Sequence, residues 1–237
     1  MEWLDRIIAA LDSLVQSGQS GSIKRITLEQ RHQTVSTPAV RKLARQFSKE
    51  FSALPWTEKT CIVQGLLEYG TNRAAHLGVF LLGLSIHDAS FVDTVALDSM
   101  VEAFRGWSVT DAFCIEVMQP LLERFTSDVL SLTVDWAAAE SCWKRRASVV
   151  VFVRKIGASG CYTQHGLDAC ERLLFDPEDL VRKGVGWALK DLMRGDRETV
   201  LAYVETLRKR RIPSVITLYA LRDTKGPERE RILAIKP

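Results

Sequence analysis

Trp107 precedes Asp111 by four residues, Trp143 opens the basic run Trp143-Lys144-Arg145-Arg146, and Gly186-Trp187-Ala188-Leu189 completes an ordered set that begins at Thr37-Pro38. An indole face attracts a cation, a carboxylate steadies developing positive charge, and arginine forks grip phosphates. These residue types suit a site that holds a positively charged group beside a polyanionic backbone, and DNA carrying a cationic, alkylated purine is a target of that kind. Taken singly, each has an ordinary reading: a helical tryptophan is usually core, a carboxylate in a first helical turn meets the helix dipole, and paired arginines are solvated surface. Their order along the chain is what carries information.

The elements that must position them are helical. Apolar residues recur with helical period near 2 to 16, 57 to 68, 72 to 84, 91 to 103, 110 to 124, 126 to 138, 140 to 155, 163 to 174, 178 to 193, 196 to 209 and 214 to 222. Thr37 followed by Pro38 predicts an N-cap and a helix through about Phe51, because proline at the first helical position loses no hydrogen bond. Gly106, Asp176-Pro177, Gly195-Asp196, Ile212-Pro213 and Gly226-Pro227 read as the joints. Val149 to Val153 is β-branched enough for a strand. It has no partner strand nearby, so it reads as a continuation of the helix from Trp143 to Lys155. Gln16 to Ser22 reads as a flexible loop, and residues 1–24 as the least well-matched helix and loop of a single domain spanning 1–237.

A repeat runs through this pattern. Arg73, Asp111, Arg146 and Arg182 each head an apolar helix, at steps of 38, 35 and 36 residues. Helix pairs stacked at such a period make an all-α solenoid of HEAT-like repeats, with the head positions along one concave face. Asp111 then takes the place that its neighbours give to arginine.

Residues 140 to 237 hold 20 Lys/Arg against 13 Asp/Glu, a balance of +7, while residues 1 to 139 hold 12 against 16, a balance of −4. Such a chain can offer a basic face to a polyanion although its net charge is only +3. Other chemistries find little support. The five cysteines form no Cys-x-x-Cys, and together with the scattered His32, His76, His87 and His165 they give no metal-ligand spacing. The cysteines are expected reduced and mostly buried, with no metal and no cofactor. No apolar run is long enough to cross a bilayer and no secretory leader is recognisable, so a cytoplasmic, nucleoid-associated protein is the expectation.

In the order and spacing of Thr37-Pro38-x-x-Arg41, Trp107-x-x-x-Asp111, Trp143-x-x-Arg146 and Gly186-Trp187-x-Leu189, the chain resembles the AlkD-type family of bacterial DNA alkylation repair glycosylases. That resemblance covers most of the chain. It implies an all-α solenoid with a concave DNA-binding face, a monomer whose partner is duplex DNA, and excision of N3- or N7-alkylated purines. It also implies Asp111 as the catalytic carboxylate, Trp107 and Trp187 as the tryptophans facing the sugar, and Arg146 as the residue holding the backbone. Arg145, Arg182, Lys183, Lys190 and Arg73 complete the expected DNA-binding set. The competing expectation is a non-catalytic HEAT-like module that binds DNA structure or a protein through the same face.

Overall fold

The computed structural model describes residues 2–16 and 27–235, and no strand occurs among them. The chain is all-α, as its periodicity predicts. It gathers into two compact units, Met1–Arg124 and Phe125–Pro237.

The first unit contains α1 (Glu2–Gln16), α2 (Leu28–Gln33), α3 (Thr37–Ser52), α4 (Trp56–Glu68), α5 (Asn72–Ser85), α6 (Thr94–Glu102), α7 (Trp107–Phe113) and α8 (Gln119–Arg124). α5 is apolar on nearly every side and is buried accordingly, with Leu77, Val79, Leu81 and Leu82 closed to solvent. It packs against α3, α4 and α7. Phe104 and Phe113 meet edge-on at 5.2 Å between centroids and close the core below α7.

The second unit contains α9 (Thr126–Ala137), α10 (Cys142–Val150), α11 (Arg154–Ala158), α12 (Thr163–Arg172), α13 (Asp179–Gly195), α14 (Arg197–Lys209), α15 (Ser214–Ala220) and α16 (Gly226–Leu233). The long α13 is its centre and packs against α10, α11, α12, α14 and α15. Gly186 permits the close approach of α15, since a Cβ there would stand 2.6 Å from the Tyr219 Cβ and 2.9 Å from the Ile216 carbonyl oxygen. The repeat heads therefore fall on helices that stack at every second or third element, α5 on α7 in the first unit and α10 on α13 in the second.

Several local expectations change. The helix predicted through Val149–Val153 stops at Val150, and α11 begins only at Arg154. Ser36, not Thr37, caps α3, accepting from the Ala39 N–H at 3.4 Å with Pro38 in the first turn. Gly226-Pro227, predicted as a break, opens α16: Gly226 sits at φ 65° and Pro227 fits the first turn. Cys114 and Cys170 are buried, but Cys61 and Cys161 are exposed and Cys142 lies between. The predicted loop after Gln16 lies outside the described residues.

Between α7 and α8 the helix widens into a π turn over Cys114–Met118, where the Gln119 N–H reaches the Cys114 carbonyl. Pro120 supplies the reason. It has no N–H for the Glu116 carbonyl and its ring would collide with that oxygen in a regular helix. Gly83 of α5 lies against the same turn, where a Cβ would be 2.8 Å from the Glu116 Cβ.

Candidate functional site

In the first unit, Trp107 is the first residue of α7 and Asp111 lies one turn on, so their side chains share a face. The indole is 54% exposed, while Asp111 is only 7% exposed. A large, open aromatic beside a nearly dehydrated carboxylate is not what core packing produces. Low local dielectric strengthens whatever charge that carboxylate meets.

α7 is tied to α5 through His76. Its Nδ1 lies 2.6 Å from the Asn72 carbonyl and its Nε2 lies 3.2 Å from the Ser108 carbonyl, within the first turn of α7. Burial pushes the His76 imidazole below its ordinary range, Arg73 and Arg41 act in the same direction, and the two carbonyls oppose them. Arg73 donates to Thr37 Oγ1 at 2.9 Å, linking α5 to α3. Arg41 lies 4.0 Å over the Phe80 ring and donates to Glu116 Oε1 at 2.6 Å. His76, Arg41 and Glu116 did not figure among the expected site residues; Arg41 was visible only as part of the Thr37-Pro38-x-x-Arg41 fragment.

In the second unit, Trp187 is partly exposed on α13, and the Arg154 guanidinium lies 5.9 Å from its ring centroid. The expected phosphate-binding residues separate into groups. Arg145 is turned inward: its Nε donates to Asp176 Oδ2 at 2.5 Å, and NH1 donates to the Ala139 and Glu140 carbonyls at 3.0 and 2.6 Å. The Asp176 hydrogen bonds hold the Arg145 pKa above its already high ordinary value. Arg146 is 5% exposed and donates to the Leu180 carbonyl, pinning α10 to the first turn of α13. Arg182 donates to the Asp176 carbonyl at 3.0 Å.

Lys183 is exposed and pairs with Asp179 one turn earlier at 2.7 Å, a surface contact that exchanges easily for another anion. Lys190 reaches Asp191 at 3.0 Å and Asp223 at 3.7 Å. Asp191 itself is 1% exposed and also accepts the Arg154 N–H at 2.8 Å. Trp187-x-x-x-Asp191 repeats the spacing of Trp107-x-x-x-Asp111, a signal present in the sequence that points to both tryptophan helices.

Residues 7–224 match the family model described as DNA alkylation repair enzyme. The chain belongs to that family. No curated protein matches the sequence. Among solved structures, a predicted DNA alkylation repair enzyme from Enterococcus faecalis is similar at 14% identity and TM-score 0.66, covering 93% of this chain and 96% of that one. The Pseudomonas fluorescens alkylpurine DNA glycosylase AlkC, bound to DNA containing an abasic site analog, is similar at 13% identity and TM-score 0.59, covering 98% of this chain and 66% of that one. At such identities the likeness establishes the helical fold of this DNA alkylation repair family member and nothing finer. Among the described residues no helix is long and apolar enough to cross a membrane.

Proposed function

We propose that the chain is a DNA glycosylase of the AlkD type, which excises purines made cationic by alkylation at N3 or N7 from duplex DNA, without a cofactor. The observation that carries this reading is the pair on α7: an indole more than half open to solvent, one turn from a carboxylate that is almost fully desolvated. The alkylpurine glycosylase named among the similar structures supports the same substrate class.

The chemistry needs only one carboxylate. When the C1′–N bond breaks, its electron pair passes to the purine and cancels the positive charge, so the base leaves neutral and requires no acid. Ordinary glycoside hydrolysis, by contrast, uses two carboxyl groups around an oxocarbenium-like transition state. Asp111 stabilises the sugar cation as it forms and orients the water that adds to C1′, whose proton is released to solvent. An indole face, that of Trp107 or of Trp187, gains attraction as positive charge builds on a sugar held against it, so it favours the transition state over the ground state. Lys183, Lys190, Arg182, Arg146 and Arg73 remain the proposed phosphate-binding set. Arg145 leaves it, because it is held in a largely desolvated ion pair with Asp176 as well as by two carbonyls.

The test is release of 7-methylguanine or 3-methyladenine from alkylated duplex DNA, beside duplexes containing hypoxanthine or uracil. Cationic bases should be released and neutral ones left in place, since no residue of the proposed site is positioned as a leaving-group acid. Asp111→Asn should slow release by about 10²- to 10³-fold with binding of undamaged DNA retained, the usual consequence of losing one electrostatic stabiliser. Salt-dependent binding with no release of any cationic base would make the chain a non-catalytic DNA-binding module.

A further inference from the structure

After α10 ends, Val151–Val153 turn the chain and Arg154 enters α11 at φ 54°. Among the described residues only Arg154 and Arg211 place a Cβ-bearing residue in the left-handed region. Such strain persists only where the surroundings impose it. Here the imposing group is Asp191, whose buried carboxylate takes the Arg154 N–H at 2.8 Å on Oδ2 and faces Lys190 at 3.0 Å and Arg194 at 3.2 Å on Oδ1. Gly157 lets the α11 backbone press onto α13 at that point: a Cβ there would stand 2.9 Å from the Asp191 carbonyl carbon.

The result is a side chain held in an unusual place. The Arg154 residue is exposed, its guanidinium lies 5.9 Å from the Trp187 ring centroid, and among the described residues that guanidinium meets no carboxylate. Its neighbours differ: Arg145 is bound to Asp176, Arg194 to Asp223 at 2.5 Å, Lys183 to Asp179, and Arg146 to the Leu180 carbonyl. A guanidinium near an indole in a cation-π contact keeps its N–H groups free for the two oxygens of a phosphate.

We propose that Arg154 grips a DNA phosphate beside Trp187, and that Asp191 is the positioning residue that holds Arg154 in the left-handed conformation presenting it. The proposal rests on the reading that the chain binds duplex DNA. Asp191 touches no substrate and acts through the Arg154 backbone.

Affinity for an undamaged duplex, measured over a range of salt concentrations and paired with thermal unfolding, tests both parts. Arg154→Ala weakens binding and flattens the log K against log salt slope by about 0.9, the loss of one phosphate contact. Arg154→Lys keeps the slope. Arg154→Gly flattens the slope equally yet raises the unfolding midpoint, because glycine adopts this backbone without strain. Asp191→Asn, which retains an acceptor for the N–H, preserves the slope. Asp191→Leu lowers it to the Arg154→Ala value, and adding Arg154→Ala to Asp191→Leu changes it no further.

Salt-dependent wild-type binding with an unchanged slope in both Arg154→Ala and Arg154→Gly overturns the Arg154 assignment and leaves the DNA reading standing. A flattened slope for Arg154→Ala with an unchanged slope for a folded Asp191→Leu overturns the positioning role. Wild-type protein without salt-dependent affinity overturns the DNA reading and this proposal with it.

Discussion

Arg145→Ala should act on stability and not on DNA binding. Sequence reasoning placed this residue among the phosphate contacts, whereas the structure places its guanidinium around Asp176, with Nε to Oδ2 at 2.5 Å and NH2 to Oδ1 at 3.3 Å. The Asp176 side chain is 2% exposed and that of Arg145 is 14% exposed, so this is a largely desolvated pair. Removing the arginine leaves the carboxylate with the Glu178 N–H at 2.9 Å, and the Ala139 and Glu140 carbonyls lose a donor. Breaking a buried pair from one side costs about 3 to 5 kcal/mol. Because the vacated space opens toward solvent on the arginine side, the lower end applies, about 3 kcal/mol. In a chain of this size, each kcal/mol moves the unfolding midpoint by about 2 to 4 °C, so a drop of about 6 to 12 °C is expected.

Denaturant unfolding of Arg145→Ala, Asp176→Asn and the double variant measures the coupling directly. The double variant should be less destabilised than the sum of the singles, since it leaves no buried charge unpaired. Duplex affinity supplies the orthogonal readout, and its salt slope should stay at the wild-type value. A stability change within about 0.5 kcal/mol, the ordinary range for surface substitutions, combined with a slope reduced by about 0.9, would return Arg145 to the DNA-binding set and refute this account.

Gly186→Ala should destabilise by about 1 to 3 kcal/mol in denaturant unfolding, because its Cβ would meet the Tyr219 Cβ at 2.6 Å and push α15 off α13. Gly184→Ala, whose Cβ would meet Val149 at 3.3 Å and the Arg146 guanidinium at 3.4 Å, should stay within about 1 kcal/mol, as helix propensity offsets the tighter contact. Trp187→Ala should slow release of a cationic base by about 2- to 30-fold, the kinetic equivalent of a partly desolvated cation-π contact, and an unchanged rate would remove the indole from the reaction. His76 provides a pH signature: its folded pKa lies below the ordinary 6.5, so the unfolded chain takes up the proton first and stability falls as pH drops from about 6.5 toward the folded value. His76→Gln should abolish that component, and parallel stability curves for the two proteins across this range would contradict it.

The helical architecture is legible because burial of one face writes a 3.6-residue period into the chain, and the Trp107–Asp111 pair is legible because i and i+4 share a face. Some missed elements had readable signals. Thr27-Leu28-Glu29-Gln30 spells the capping box that opens α2, with Thr27 accepting from the Gln30 N–H and the Gln30 side chain returning to the Thr27 N–H. Pro227 is placed for the first turn of α16. Other features were not readable at all. Nothing in Val149–Val153 announces that the helix must stop, because the stop is imposed by Asp191, nearly forty residues away, and by backbone contact at Gly157. The π turn after Asp111 has a local cause in Pro120, yet Gly83 of α5 is what gives the widened turn room.

The same distinction decides what the charge distribution means for DNA. A balance of +7 after residue 139 counts charges, but a polyanion meets only those that the fold leaves available. In the second unit Arg145, Arg194, Arg197, Arg210 and Arg231 are already matched to Asp176, Asp223, Glu228, Glu171 and Glu205. Exposed pairs of this kind can exchange partners at little cost, but the desolvated Arg145–Asp176 pair cannot. The exposed pairs therefore still count toward a polyanion, whereas the desolvated Arg145 does not. Under the proposed DNA reading Asp191 and Asp176 would have opposite uses: Asp176 keeps Arg145 from a phosphate, while Asp191 fixes the backbone that presents Arg154 to one.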